Sequence, residues 1–303
     1  MDAEIIDFED ARIRRGDHIV RGTAADGMVR AFAITARSTV QTAHENHGTS
    51  PLVTAALGRL MMAGQMIGAM SKNDNELITL TVRGDGPIGG LTVTANNRGQ
   101  VKGFANNPHV WLPLKLDEHL NVGGGIGAGE LSVVFDQPGT MPYSSQVELV
   151  SGEIGDDLTY YFAASDQVPT SVGVGVLVNT DTSVRQAGGF IVQLMPDYLD
   201  FVLDQLEANL AGVTSVTDML EAGMSPSDML RHILRDMDYK ELDVMPAEFH
   251  CGCDEARASR AVLALGEAEL RDMIAKRETA EIYCHFCGKR HYISPKELED
   301  LLA

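Results

Sequence analysis

Along the first two thirds of the chain, apolar and polar residues alternate in short runs separated by glycine turns. This period-two pattern, rich in β-branched residues, predicts strands over residues 28–35, 76–83, 90–95, 100–105, 130–135, 145–150, 171–178 and 188–194. Asn96-Asn97-Arg98-Gly99 lies between two of them and reads as a hairpin turn, because Asn and Gly tolerate positive φ. One helix interrupts the strands. Ser50 is a candidate N-cap and Pro51 a first-turn residue, and LVTAALGRLMMAGQMIGAM follows. Its apolar residues run nearly all round, which places it against a sheet rather than half in solvent. A second helix is expected over 155–165. The order of elements is not a regular βαβ repeat, so the fold class is α+β with mainly antiparallel strands and packed helices.

The texture changes after residue 194. Strand signals stop and helical spacing takes over. Pro196 opens DYLDFVLDQLEANLAG, closed by Gly212, and TSVTDMLEAG ends at Gly223. SPSDMLRHILRDMD begins with Ser225 as N-cap, Pro226 behind it and Asp228 three residues on, close to a capping box. Met219, Met224, Met229, Met237 and Met245 fall in this region. The expected organisation is a core domain over 1–194, a helical linker over 195–245 and a small C-terminal domain over 246–303.

Composition adds limits. At 44% hydrophobic and 22% charged, the chain reads as a soluble globular protein. No apolar run approaches the ~20 residues of a membrane span. The N-terminus is acidic and lacks the apolar stretch of a signal peptide, so a cytoplasmic location is expected. A net charge of −19 argues against nucleic-acid binding, which rests on Lys and Arg neutralising phosphates.

The chemistry sits in the tail. All four cysteines of the chain lie there: Cys251 and Cys253 as C-x-C, then 30 residues, then Cys284 and Cys287 as C-x₂-C. Four soft thiolates in two close pairs are a strong zinc signal. His250 and His285 adjoin the cysteines and are alternative ligands, although four sulfurs already complete a tetrahedral shell. The tail is too short for its core alone to hold it reliably, since such cores become dependable above ~70–80 residues. Its apolar set is thin: Phe249, Leu263, Leu265, Leu270, Met273, Ile274, Ile282, Tyr283, Tyr292, Ile293 and Leu298. Zinc binding of ~10–16 kcal/mol would match the whole stability of such a domain. A C-x-C pair can bridge if the chain bends at Gly252, giving a small, strained and easily reduced ring, and a C-x₂-C pair can bridge as well. Oxidation could therefore release the metal and leave two local disulfides. A plain structural zinc ribbon fits the same spacing.

Other motifs carry less. His44-Glu45-Asn46-His47 is H-x-x-H, one residue short of the metalloprotease spacing, and reads as capping or polar surface. Residues 123–129, GGGIGAG, lack the dinucleotide-binding register and a following Walker lysine, and read as a flexible loop. No G-x-S-x-G elbow occurs, so no catalytic residue is assigned and an enzyme is not expected. A nucleic-acid-binding zinc ribbon would need a basic face that the acidic tail lacks. A thiol oxidoreductase would need a thioredoxin-like βαβ context around Cys284, and none is present.

The tail resembles that of the redox-regulated heat-shock protein 33 family, bacterial holdase chaperones. The matching residues are Cys251, Cys253 and Arg257, the 30-residue spacer, Cys284-x-Phe286-Cys287, an aromatic at Tyr292 and the closing KELEDLL. Upstream, SPLVTAALGRLMMAGQMIG, GDGPIGGLTVTANNRGQVKGFA, MPYSSQVELVSGEIGDDLTYYFAASDQVPTSVGVGV and AGGFIVQLMP match in the same order. The stretch 276–281, KRETAE, departs from the pattern by lacking a glycine turn. The resemblance implies one Zn²⁺ per chain in an inactive reduced form, held by Cys251, Cys253, Cys284 and Cys287. It implies substrate binding and dimerisation for the core domain over 1–194. It implies that oxidant with heat releases the zinc and joins Cys251 to Cys253 and Cys284 to Cys287. The zinc domain and linker then unfold, and a homodimer holds unfolded or partly folded clients without ATP. Clients pass to ATP-driven foldases after reduction. Loosened linker helices would expose adaptable Met-rich surface, packed again in the reduced form.

Overall fold

The computed structural model of the chain describes residues 8–73, 75–213 and 215–302. Thirteen strands occur among them: β1 His18–Ala24, β2 Val29–Thr35, β3 Leu77–Gly84, β4 Leu91–Asn96, β5 Gln100–Ala105, β6 Gly129–Asp136, β7 Tyr143–Glu148, β8 Thr170–Val178, β9 Val184–Leu194, β10 Lys240–Pro246, β11 Glu248–Phe249, β12 Ala280–Tyr283 and β13 Arg290–Ile293. The helices are α1 Phe8–Ile13, α2 Arg37–His47, α3 Pro51–Gly68, α4 Val122–Ile126, α5 Gly155–Tyr161, α6 Asp200–Leu210, α7 Val216–Glu221, α8 Pro226–Ile233, α9 Glu255–Leu263, α10 Glu267–Lys276 and α11 Pro295–Leu302. The fold is α+β, and the chain forms two compact units that meet in sequence between Phe249 and His250. No helix among the described residues is long and apolar enough to cross a membrane.

The larger unit is built on α3. Ser50 caps the helix by accepting a hydrogen bond from the Val53 N–H, with Pro51 in the first turn. Its apolar surface runs all round because it lies between two sheets. On one side are the five strands β10-β1-β2-β9-β8, and on the other the six strands β11-β5-β4-β3-β6-β7. Leu60, Met61 and Met62 of α3 are fully buried with Ile34 and Ile191 of the first sheet and Leu80 and Val93 of the second. All neighbouring strands are antiparallel except β11 and β5.

The five-stranded sheet is buried on both faces, because successive side chains of a strand point opposite ways. Ile19, Phe32 and Ile191 join the α3 core. Their neighbours Val20, Ala31, Ala33, Phe190 and Val192 face α6, α7 and α8, which supply Val202, Leu206, Met219, Leu220, Met229 and Ile233. The capping box expected at Ser225 is present: Ser225 Oγ accepts from the Asp228 N–H and Asp228 Oδ2 accepts from the Ser225 N–H. Helices α6, α7 and α8 thus form an amphipathic layer over one sheet face.

Three expectations change. Strand signals do not end at residue 194. Residues 240–246 pair antiparallel with β1, and both strands were hidden by their polarity, β10 as a charged edge and β1 by Arg21 and Gly22 within it. The first linker helix starts at Asp200, not Pro196, with Asp197 at φ 67° in the intervening turn. GGGIGAG contains α4, whose Gly124 N–H donates to Asn121 Oδ1, rather than a flexible loop. The two histidines of the H-x-x-H motif end α2 and engage internal groups: His44 Nδ1 lies 3.1 Å from Thr54 Oγ1, and His47 Nε2 donates to the Gly103 carbonyl.

In the smaller unit, Ala258, Val262, Leu270, Ala280, Ile293 and Leu298 form the buried core. Leu263, Leu265, Tyr283 and Tyr292 are exposed instead, and Phe249 belongs to β11 beside Val101 in the larger unit. The missing glycine turn at 276–281 is replaced in kind. Arg277 itself takes the left-handed conformation, φ 56°, at the end of α10. Its N–H donates to the Ile274 carbonyl and the Glu278 N–H to the Met273 carbonyl, the hydrogen-bond pair of a Schellman cap.

These details set three expected outcomes. A Cβ on Gly68 would lie 2.4 Å from the Asn96 carbonyl oxygen, a backbone atom with no room to yield. Gly68→Ala is therefore expected to lower stability by about 1–3 kcal/mol, seen as a lower urea midpoint. A non-glycine residue in the left-handed region costs ~1–2 kcal/mol, partly offset by the extra chain freedom of glycine. Arg277→Gly should therefore raise the stability of the smaller unit by about 0.5–1 kcal/mol, measurable by thermal unfolding. His18 is buried, its Nδ1–H donates to the Gly16 carbonyl, and its Nε2 has no partner among the described residues. Burial holds its pKa below the ordinary 6.5. The folded state thus keeps His18 neutral while the unfolded chain takes up a proton. Its contribution is full above pH ~6.5 and is lost as pH falls toward the folded value. His18→Gln should flatten stability over that window in pH-dependent denaturation.

Candidate metal centre

The smaller unit brings all four cysteines to one place from two short turns. Cys251 and Cys253 lie in the chain that leads into α9, where Asp254 caps the helix by accepting the Arg257 N–H at 2.7 Å. Cys284 and Cys287 lie in the loop joining the antiparallel pair β12 and β13. The Cys284 N–H donates to the Lys289 carbonyl, and the Cys287 and Gly288 N–H groups donate to the Cys284 carbonyl. Gly288 closes this knuckle at φ 69°, where a side chain would be strained. The two signals that place the knuckles, the Asp254 cap and the Gly288 turn, were readable in sequence but not singled out.

The four Sγ atoms lie within 4.8 Å of one another. Cys251 and Cys284 are 3.7 Å apart, and Cys253 and Cys287 are 3.2 Å apart. Tetrahedral zinc with bonds of about 2.3 Å sets its sulfurs ~3.8 Å apart. The first distance matches that edge, and the second needs a small outward shift. No histidine nitrogen joins the cluster among the described residues. His285 instead stacks edge-on against Tyr283, with ring centroids 5.3 Å apart.

Electrostatics explain why such a cluster calls for a cation. Two thiolates at this separation repel by roughly 4–5 kcal/mol at an effective dielectric of about 20. Burial, reinforced by neighbouring sulfurs, pushes the Cys251 and Cys253 thiols up. Burial also works against ionisation of Cys284, but the N–H groups of Phe286 and Cys287, with donation from adjacent thiols, outweigh it and bring that thiol down. Ionisation is thus eased at Cys284, while Cys251 and Cys253 need a positive partner to follow. The residues fit a soft divalent metal held by four thiolates.

The surrounding basic residues divide. The Arg257 guanidinium lies beside Gly252, so its charge is close to the C-x-C turn. Arg290 is engaged elsewhere, paired with Glu281 and set over the Tyr283 ring at 5.8 Å. Gly252 is not in the left-handed region, and a Cβ there would meet its nearest neighbour, Arg257 Nη1, at an ordinary 3.6 Å. The folded turn itself does not demand glycine.

Comparison with known proteins gives the same answer along nearly the whole chain. The family model described as Hsp33 protein matches residues 17–294. A 33 kDa chaperonin of Agathobacter rectalis is 48% identical over 94% of this chain and 99% of its own length. The 33 kDa chaperonin of Geobacillus kaustophilus is 44% identical over 94% of this chain and 97% of its own. The crystal structure of the 33 kDa chaperonin (heat shock protein 33 homolog) from Thermotoga maritima superposes with a TM-score of 0.86 at 34% identity, covering 94% of this chain and 97% of that one. With these matches and four clustered thiols, the chain belongs to the Hsp33 family of chaperones.

Proposed function

We propose that this chain is a redox-regulated, ATP-independent holdase whose switch is the four-cysteine centre. The observation that carries this reading is the placement of every thiol of the chain in one cluster, inside a unit whose core is six small or medium apolar residues. In the reduced state Cys251, Cys253, Cys284 and Cys287 hold one Zn²⁺. When bound, zinc neutralises the thiolates and joins the two knuckles. Its binding free energy of ~10–16 kcal/mol is comparable with the ~5–15 kcal/mol stability of a folded domain. The unit stands or falls with its sulfurs.

Peroxide oxidises a thiolate sulfur to a sulfenic acid with loss of water. A neighbouring thiol displaces hydroxyl from it, forming the S–S bond and a second water. Two peroxides thus consume four thiols, giving two disulfides and four waters. Although the closest sulfurs face each other across the two knuckles, the pairs proposed are local, Cys251 with Cys253 and Cys284 with Cys287. Once the sulfurs no longer hold a common ion and the unit loosens, closing a two- or three-residue separation costs less chain entropy than one of about 33. The difference is roughly 2 kcal/mol.

Unfolding of the smaller unit then spreads into the helical linker. Helices α6, α7 and α8 are shorter than the ~12–15 residues an isolated helix needs, so each persists only while docked. Their release bares the Met- and Leu-rich stripe and the sheet face beneath it, soft apolar surface suited to many clients. Active chains are proposed to act as homodimers in the cytoplasm, to hold unfolding proteins without turnover, and to pass them to ATP-driven foldases once reduced.

Zinc content and suppression of client aggregation should be followed on one sample through warm peroxide and then reductant with zinc. One zinc per reduced chain, its loss on oxidation, client holding only afterwards, and reversal of both are expected. Retained zinc, or zinc loss with no gain in holding, contradicts the switch. Cys287→Ser should abolish stoichiometric zinc binding and leave the smaller unit unfolded even in reductant, seen as lost amide protection over residues 255–302.

A further inference from the structure

The two large sheets leave four edge strands, and three are guarded. β10 carries Lys240, Glu241 and Asp243 and ends at Pro246, β11 is two residues long, and β7 is short and ends in Glu148. β8 differs. It runs for nine residues, TSVGVGVLV, with no charge and no proline, features by which natural edges avoid pairing.

Hydrogen-bond parity shows which groups face outward. The Leu194 N–H donates to the Pro169 carbonyl, so residues 171, 173, 175 and 177 bond to β9 and Thr170, Val172, Val174 and Val176 turn their main-chain groups away. Thr159 Oγ1 accepts the Val172 N–H at 3.2 Å. No described residue pairs the outward N–H and C=O of Val174 or Val176. A cavity of about 730 Å³ runs along this edge from Val172 to Val178, lined also by the apolar Leu114, Leu120, Val213 and Val216 and, among charged residues, by Arg59 and Glu153. No residue of β8 is fully exposed, so the edge lies recessed in its groove.

We propose that this groove docks an extended polypeptide segment with alternating apolar residues, which adds as a sixth strand through the main-chain groups of Val174 and Val176. The recess selects that occupant. A folded second copy would carry the same strand equally recessed, and the two edges could not meet. A single extended chain is slim enough to enter. Taken with the holdase reading above, on which its biological role rests, the groove takes one short segment of an unfolded client, and holding a whole client still requires the apolar surface that oxidation releases. Its lining residues Ser215, Val216 and Thr217 lie at the start of α7, so release of the helical segment would widen it.

The test uses the full-length reduced chain and a fluorescent heptapeptide of alternating valine and threonine. A second peptide carries N-methyl groups on its three central amides, which blocks both of its edges. Anisotropy is expected to show binding of the first peptide and at least tenfold weaker binding of the second. Val174→Pro removes an outward N–H without touching a bond to β9, and should weaken the first peptide at least tenfold. If that variant does not fold, the peptide pair alone decides. Equal binding of both peptides, no binding of either, or concentration-dependent self-association that Val174→Pro abolishes overturns the groove assignment. After oxidation, a Val174→Pro chain that holds a denatured client as well as the native chain also overturns it, while leaving the holdase reading intact. Failure of the oxidised native chain to hold any client defeats that reading instead, and the peptide arm still decides whether the groove binds.

Discussion

Four sulfurs within 4.8 Å of one another form the constraint on which the smaller unit depends. Their mutual repulsion as thiolates means that they can share this space only as mostly neutral thiols, as disulfides, or around a cation. Each choice has a different consequence for the backbone. A cation ties the knuckle between β12 and β13 to the turn before α9, whereas a local disulfide stays within one turn and ties neither to the other. The core of Ala258, Val262, Leu270, Ala280, Ile293 and Leu298 is too slight to impose the arrangement alone. On the proposed reading, the oxidation state of sulfur is therefore the variable to which this unit is most sensitive.

The larger unit has a complementary design. Helix α3 is held from both sides and gives a core that does not depend on any thiol. The outer layer of α6, α7 and α8 is different, because short helices contribute stability only while their apolar stripe stays on the sheet. Val202, Leu206, Met219, Met229 and Ile233 are buried there, while the outer positions carry Asp200, Asp204, Glu207, Asp218 and Asp228. An amphipathic layer of this kind can leave as a piece and expose apolar surface on both itself and the sheet. On the proposed reading, the acidic outer face would keep a released segment in solution. A stable core with a detachable cover can expose binding surface without losing the whole fold.

Much of this was legible in the sequence, for identifiable reasons. The eight predicted strands follow half-buried alternation or β-branched runs, and α3 announces itself by Ser50, Pro51 and unbroken apolarity. The cysteine spacing pointed to one cluster because metal chemistry constrains residue type and separation more tightly than packing does. What escaped was set by tertiary context. β10 reads as polar because it is a charged edge, and β1 is interrupted by Arg21 and Gly22, the latter lying where a Cβ would meet the Tyr239 ring at 2.4 Å. The small-unit core was misjudged because alanines at 258 and 280 are buried while Tyr283 and Tyr292 are not. Size and hydrophobicity do not reveal which face of a short element finds a neighbour. The absence of a glycine at 276–281 proved immaterial to the turn, since Arg277 adopts the required backbone conformation.

Hydrogen exchange at single-residue resolution, compared between the reduced zinc-loaded chain and the peroxide-treated chain, tests the central claim most directly. The account requires amides in α9, α10 and α11 and in α6, α7 and α8 to lose protection together on oxidation, with Leu60 and its neighbours in α3 unchanged. Protection over residues 200–237 that survives oxidation would contradict it, because the linker layer would then be fixed structure and not a cover.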